Sequence, residues 1–383
     1  MHEQRNVAAI LLLVGVVASS SGCSIFRSAK ESKAGQSMGE FWASLHGDRP
    51  VNEAVARQAM VEADENFSQA MAMQGAARTR SLLSAVKKYE MAGENWQTST
   101  LEEDAMFRMG ECYFFADHYA KASTAYGTLL KKYPNSRYLD TVSRRRFSQA
   151  EYWLALDENE NHWRFVPNFT DKRRPVIDMV QFALKELDQI RFDDPAGELA
   201  DDATMRAATE NFKRGKYASA DELFDDLRTS FPSSPHQFQA HLLGIKCKQE
   251  LFRGPDYEDG MLDDAEKLVV QVQRQFPEQA AEYRDLLQRS AADIRLKQAD
   301  TAYAFAKFWD DRKEYRAARL YYDDVRKEYS DTNLALESEA RLAQLGGLPD
   351  TPVERLDWIA NLFPKDEQPK PLLASERTNV LKR

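Results

Sequence analysis

The feature that most constrains this chain is a frame of aromatic and small residues that returns three times at one spacing. Counting from Tyr119, Ala122 stands at +3, Tyr126 at +7, Leu129 at +10 and Tyr133 at +14, with Pro134 next. From Tyr217 the same count gives Ala220, Phe224, Leu227, Phe231 and Pro232. From Tyr315 it gives Ala318, Tyr322, Val325 and Tyr329, with Ser330 in the proline position. These offsets fall on one face of an α-helix, so each segment reads as a helix with a single apolar stripe. The alanine lets a neighbouring helix come close, and the aromatic one turn later fills the space beside it. Proline ends the helix because it has no N–H to continue the ladder. A weaker copy runs through Leu262, Ala265, Val269, Val272, Phe276 and Pro277, and another is suggested by Ala85, Tyr89 and Ala92.

Upstream of the first frame, Met106, Met109, Gly110 and Tyr113 supply a preceding helix whose glycine permits tight pairing. Ala116, Asp117 and His118 separate the two. Strand-like alternation of β-branched residues is absent and glycine and proline are sparse, at 16 and 14, so the composition is all-helical. Together Gly110, Tyr113, Ala122, Tyr126 and Pro134 resemble the tetratricopeptide repeat. Ala208, Ala220, Phe224 and Pro232 match in the second unit, and Ala306, Trp309, Ala318 and Tyr322 in the last. The resemblance implies an all-α solenoid of stacked antiparallel helix pairs, since one pair cannot bury its own apolar face. Arg253 to Gly260, with Gly254, Pro255 and Asp256, is expected to interrupt the first helix of the unit around Leu262 as a loop insertion.

The first residues form a separate unit. Arg5 precedes an apolar run from Val7 to Val17, and Ala18, Ser19, Ser20, Ser21 and Gly22 lead to Cys23. That is the layout of an export signal, its apolar run too short to serve as a spanning helix. Ser21, Gly22 and Cys23 resemble the bacterial lipobox, in which the cysteine thiol is acylated and becomes the first mature residue; Ser20 departs from it, standing where an apolar residue is usual. The alternative is an ordinary secretory signal cut nearby. Ser24, with no Asp at that place, favours by resemblance the outer membrane on its periplasmic face. The expected division is therefore a signal at 1–22, a polar tether at 23–50, repeats at 51–157, an irregular insertion plus helix at 158–198, repeats at 199–345, and a capping helix and polar tail at 346–383.

Chemistry is harder to find. The formal net charge is −9, which argues against a nucleic-acid partner, because that binding depends on cations neutralising phosphates. Cys112 and Cys247 sit inside helical patterns and read as buried small hydrophobes, although a single bridge stays open if the chain folds back on itself. No nucleophile elbow, phosphate loop or metal-ligand spacing occurs, so no catalytic, cofactor or metal residue is expected. The pairs Asp201/Asp202, Asp225/Asp226, Asp263/Asp264 and Asp323/Asp324 recur with the repeat and read as solvated charge. Asp256, Glu258 and Asp259 lack the spacing of a Ca²⁺ loop. In the insertion, His162, Trp163, Phe165, Pro167, Phe169, Lys172, Arg173 and Arg174 could form a docking loop, or the aromatics could cover the core. Val353, Leu356, Trp358, Ile359 and Leu362 form a last amphipathic stripe that could cap the stack or meet a partner.

The lipobox-like start, the tether and the Tyr133-Pro134-Asn135-Ser136 ending, echoed by Phe231-Pro232-Ser233-Ser234, resemble the outer-membrane assembly lipoprotein family called BamD or YfiO. That resemblance implies a non-enzymatic periplasmic scaffold with protein partners: subunits of the β-barrel assembly machinery, or unfolded outer-membrane proteins, with the membrane reached through a lipid on Cys23. The runner-up is another repeat lipoprotein in cell-envelope organisation or secretion. Tyr113, Tyr119 and Tyr126 could anchor a bound segment, although their spacing is the packing stripe itself.

Overall fold

The computed structural model describes residues 52–159, 167–168, 170–257 and 260–351. The export signal, Cys23 and the tether lie outside the described residues, as do His162, Trp163, Phe165, Phe169, Glu258 and Asp259 and the stripe from Val353 to Leu362. The described residues form fourteen helices and no strand, the expected fold class. They divide into two compact units that part after Tyr138, residues 168–175 going with the first.

The first unit holds α1 (Glu53–Met71), α2 (Gly75–Asn95), α3 (Thr100–Phe115) and α4 (Tyr119–Lys132), each packed on the next. Its core is built largely from alanine, with Ala59, Ala63, Ala70, Ala85, Ala92 and Ala105 buried around Leu82, Tyr89 and Cys112. Small side chains let the helix axes approach, and the tyrosine fills what they leave. Tyr89 donates its hydroxyl to Asp64 at 2.6 Å, which satisfies the one polar atom the stripe carries inward.

The second unit holds α5 (Leu139–Asn159), α6 (Met179–Asp193), α7 (Ala200–Lys213), α8 (Tyr217–Ser230), α9 (Gln237–Leu251), α10 (Met261–Gln275), the short α11 (Pro277–Glu282), α12 (Arg284–Asp311), α13 (Tyr315–Glu328) and α14 (Asn333–Leu345). Pro277, which stops α10 by lacking an N–H, opens α11, where a first-turn N–H has no intrahelical acceptor anyway. The boundary between compact units falls after Tyr138, where the sequence kept 51–157 together. The reason is α5, which packs against α6, the Trp153 ring meeting Phe182 edge-on at 6.3 Å. Residues 168–175, assigned from sequence to the insertion with the following helix, belong to the first unit. The segment around Gly254 and Pro255 is a loop, as expected, but it separates α9 from α10 and leaves both helices whole.

One turn recurs between paired helices. Asp117, Gly215 and Lys313 each lie two residues before the framing tyrosine, with φ of 60°, 71° and 63°. In each case the next N–H reaches back five residues: His118 to the Tyr113 carbonyl, Lys216 to Asn211 and Glu314 to Trp309, at 2.9, 2.9 and 3.0 Å. This left-handed cap satisfies carbonyls that the helix end leaves open and reverses the chain in three residues.

Candidate functional site

The framed residues take graded positions. Ala122, Ala220 and Ala318 are fully buried, as are Tyr126, Phe224 and, at 2% exposure, Tyr322. Leu129, Leu227 and Val325 complete the inner stripe. Tyr119, Tyr217 and Tyr315 are half-buried at the helix starts, while Pro134 and Pro232 are exposed just past the helix ends. Gly110 is buried against the Tyr126 ring. Tyr126, offered above as a possible anchor, is core: its hydroxyl donates to the buried Glu111 at 2.6 Å. Tyr113 is half-buried, its hydroxyl pKa raised by burial, and sits beside His118. Tyr322 repeats the pattern of Tyr126, donating to Asp310 at 3.2 Å, and Arg341 grips the same carboxylate at 2.6 and 2.8 Å. Those bonds hold the Asp310 pKa below the usual carboxylate range.

After α4 and again after α8, the following segment folds back onto the start of the paired first helix. Ser99 caps α3 by accepting from the Glu102 N–H at 3.1 Å, and Glu102 accepts from the Thr98 N–H at 2.7 Å. Glu102 then takes Lys132 and the Tyr133 hydroxyl, both at 2.6 Å; Glu103 takes the Ser136 hydroxyl at 2.6 Å, and Asp104 takes the Tyr138 hydroxyl at 2.7 Å. The Tyr138 ring stacks on Phe107 at 3.8 Å. Acidic side chains suit a helix N-terminus, so the three carboxylates stabilise α3 and clamp the Tyr-Pro-Asn-Ser ending together. In the second unit Asp202 plays the part of Asp104, meeting His236 Nε2 at 2.6 Å.

Among the described residues of the second unit, three clefts lie between successive second helices, each floored by the intervening first helix. Between α6 and α8, over α7, a cleft of about 400 Å³ is lined by both signs of charge, including Lys185, Arg191, Lys216, Glu222 and Asp226. Between α8 and α10, over α9, a cleft of about 670 Å³ carries Arg228, Lys248, Lys267, Asp225 and Asp264. Between α10 and α13, over α12, a cleft of about 550 Å³ is different: Phe252, Tyr257, Phe305, Tyr321 and Tyr329 line it with Asp263, Asp324 and Glu328, and no Lys or Arg does.

The model of the tetratricopeptide repeat matches residues 104–136, which span most of α3, its left-handed turn, α4 and the start of the clamp. That stretch is similar to a tetratricopeptide repeat. A crystal structure of a tetratricopeptide repeat protein from Parabacteroides merdae is similar at 12% identity, over 77% of this chain and all of that one, with a TM-score of 0.28. No curated protein matches the chain.

Within the stacked helix pairs the acidic pairs are mostly paired in turn. Asp225 meets Arg228, Asp226 meets Arg191, Asp264 meets Lys267, and Asp323 meets Arg326 and Lys327. Asp201, Asp202 and His236 bring their ligand-type atoms within 4.8 Å of one another, a grouping the sequence did not suggest. Their bonds account for it: Asp201 accepts from the Asp202 N–H at 3.0 Å and Asp202 holds His236, the clamp seen in the first repeat. In the basic stretch, Asp171 pairs with Arg173 and Arg174 at 3.0 and 3.2 Å. Cys112 and Cys247 are both free thiols, fully buried. The aromatic cleft also went unseen in the sequence, because its residues come from three helices and a loop; the only local hint was the tyrosine pair Tyr321-Tyr322, one member facing the core and one outward.

Proposed function

We propose that this protein is a lipid-anchored scaffold on the periplasmic face of the outer membrane, binding partner proteins during assembly and insertion of outer-membrane β-barrel proteins. The carrying observation is the tetratricopeptide repeat at residues 104–136, a fold that serves protein partners, joined to a sequence that starts with an export signal and a lipobox-like Ser21-Gly22-Cys23. The role is non-enzymatic: the helix pairs offer clefts and charged faces, and the bonds in the clamps and caps are structural. No described helix is long and apolar enough to cross a membrane, and the acyl group on Cys23 is the attachment this reading supplies.

The test is capture from solubilised membranes with the full chain, beside a Cys23→Ala version, followed by mass spectrometry and acyl-chain labelling. Recovery of a β-barrel insertase with the anchored protein, and loss of both acylation and membrane fractionation in Cys23→Ala, is the expected result. Recovery of secretion or peptidoglycan-associated proteins alone would overturn the assembly role.

A further inference from the structure

The three clefts between successive second helices share one construction, so their differences in lining carry information. Two of them mix cations with anions; the third, between α10 and α13, has aromatic walls and only acidic charge. Among the described residues no Lys or Arg forms an ion pair with Asp263, Asp324 or Glu328. Asp263 accepts from the neutral Gln298 amide at 2.9 Å, which leaves its charge in place. Elsewhere in the second unit carboxylates commonly have a cation within reach, including Asp323 beside Asp324. Arg295 lies 5.4 Å over the Tyr329 ring but is engaged by Asp331 at 2.9 Å and by the Glu328 carbonyl at 2.6 Å.

The apolar side of the cleft is accessible. Tyr257 is 57% and Tyr321 36% exposed, and Tyr321 leans against Phe305 with ring centroids 6.3 Å apart. Exposed aromatics beside carboxylates that form no ion pair suit one chemistry: a cationic side chain that stacks on the rings while its N–H groups reach the acids. Arginine fits it best, because its planar guanidinium can do both at once, and flanking aliphatic side chains would cover the rest of the rings.

We propose that the cleft between α10 and α13 is a docking site for an extended segment of a partner protein that carries arginine or lysine between apolar residues. This rests on the scaffold reading above and names where and by what chemistry one partner is held.

The test is fluorescence anisotropy of the full chain with a labelled peptide alternating arginine and leucine, beside a matched peptide of glutamate and leucine. Saturable binding of the arginine peptide alone is expected. The Asp324→Asn/Glu328→Gln chain should bind it about tenfold or more weakly, and Tyr321→Ala should weaken it as well. The Asp225→Asn/Asp264→Asn chain, with equal charge removed from the neighbouring cleft, should bind as the parent does. Asp324 and Glu328 are exposed, so their neutral variants keep the fold, which circular dichroism would verify. Absence of saturable binding overturns the inference, as does equal binding of the glutamate peptide or equal loss in both double variants, which would report net charge. Binding seen only after removal of residues 352–383, which include Lys370, Arg377, Lys382 and Arg383, would also overturn it by giving the cleft to the chain's own end. Failure of the membrane capture with peptide binding intact counts against the envelope role and supports the cleft, so the two readings fail separately.

Discussion

Gly110 and Tyr126 share one volume: a Cβ on Gly110 would stand 2.6 Å from Cδ1 of the Tyr126 ring, closer than van der Waals contact allows, with another ring carbon nearer still. The tyrosine cannot swing away, because its hydroxyl is held by buried Glu111 at 2.6 Å. Glycine in mid-helix normally weakens a helix, and here the close approach of α4 offsets that loss.

Gly110→Ala should therefore destabilise the chain by about 1–3 kcal/mol despite the better helix propensity of alanine. Urea denaturation checks the sign. Gly110→Ala combined with Tyr126→Leu should lose less than the two single changes added together, since the smaller side chain makes room for the new methyl.

Lys313 holds φ at 63° in the turn where the second repeat has Gly215. A side chain in that region costs about 1 kcal/mol, so Lys313→Gly should raise stability by about that much. The readout is the thermal midpoint, and a fall on substitution would show that Lys313 contributes contacts beyond its backbone.

Arg146, 2% exposed, pairs with the equally buried Glu186 at 3.3 Å and with Asp193. Arg146→Met leaves Glu186 buried without its arginine and should cost about 3–5 kcal/mol in denaturant titrations. Arg146→Met/Glu186→Leu should recover most of it, because the buried carboxylate leaves together with its arginine.

Burial, followed by the nearby Arg228, holds the His241 pKa below the 6.5 of an exposed imidazole, while its bond to the Gln237 carbonyl at 2.8 Å works the other way. A base with a depressed folded pKa binds fewer protons folded than unfolded once pH drops below 6.5. Stability is thus undiminished above that value and falls as pH descends toward the folded pKa. Urea midpoints between about pH 7.5 and about pH 5 should decline, and His241→Gln should flatten part of that slope. His118, lowered by burial and by Lys121, keeps some of it.

Burial pushes the thiols of Cys112 and Cys247 up to about 12, far from thiolate formation at neutral pH. Neither should react with a thiol reagent in the native chain, and both should react in denaturant; peptide mass mapping distinguishes them. Labelling of native Cys112 would mean that α2 and α3 open readily.

The sequence determined the helices and their pairing by itself. Tyr119, Tyr217 and Tyr315 each open a helix of 14 residues, and the alanine and aromatic positions that follow are buried as their spacing requires. Such features repeat at short range, where helical periodicity is a direct record of which face is covered. Tertiary structure decided the rest. Acidic residues that read alike as solvated charge separate into clamps such as Glu102 with Tyr133, side-by-side pairs such as Asp225 with Arg228, and the unpaired acids Asp324 and Glu328 of one cleft. Periodicity says that a charge faces outward. Only the arrangement of non-neighbouring helices says whether another charge waits there, because that depends on contacts between residues far apart in the chain.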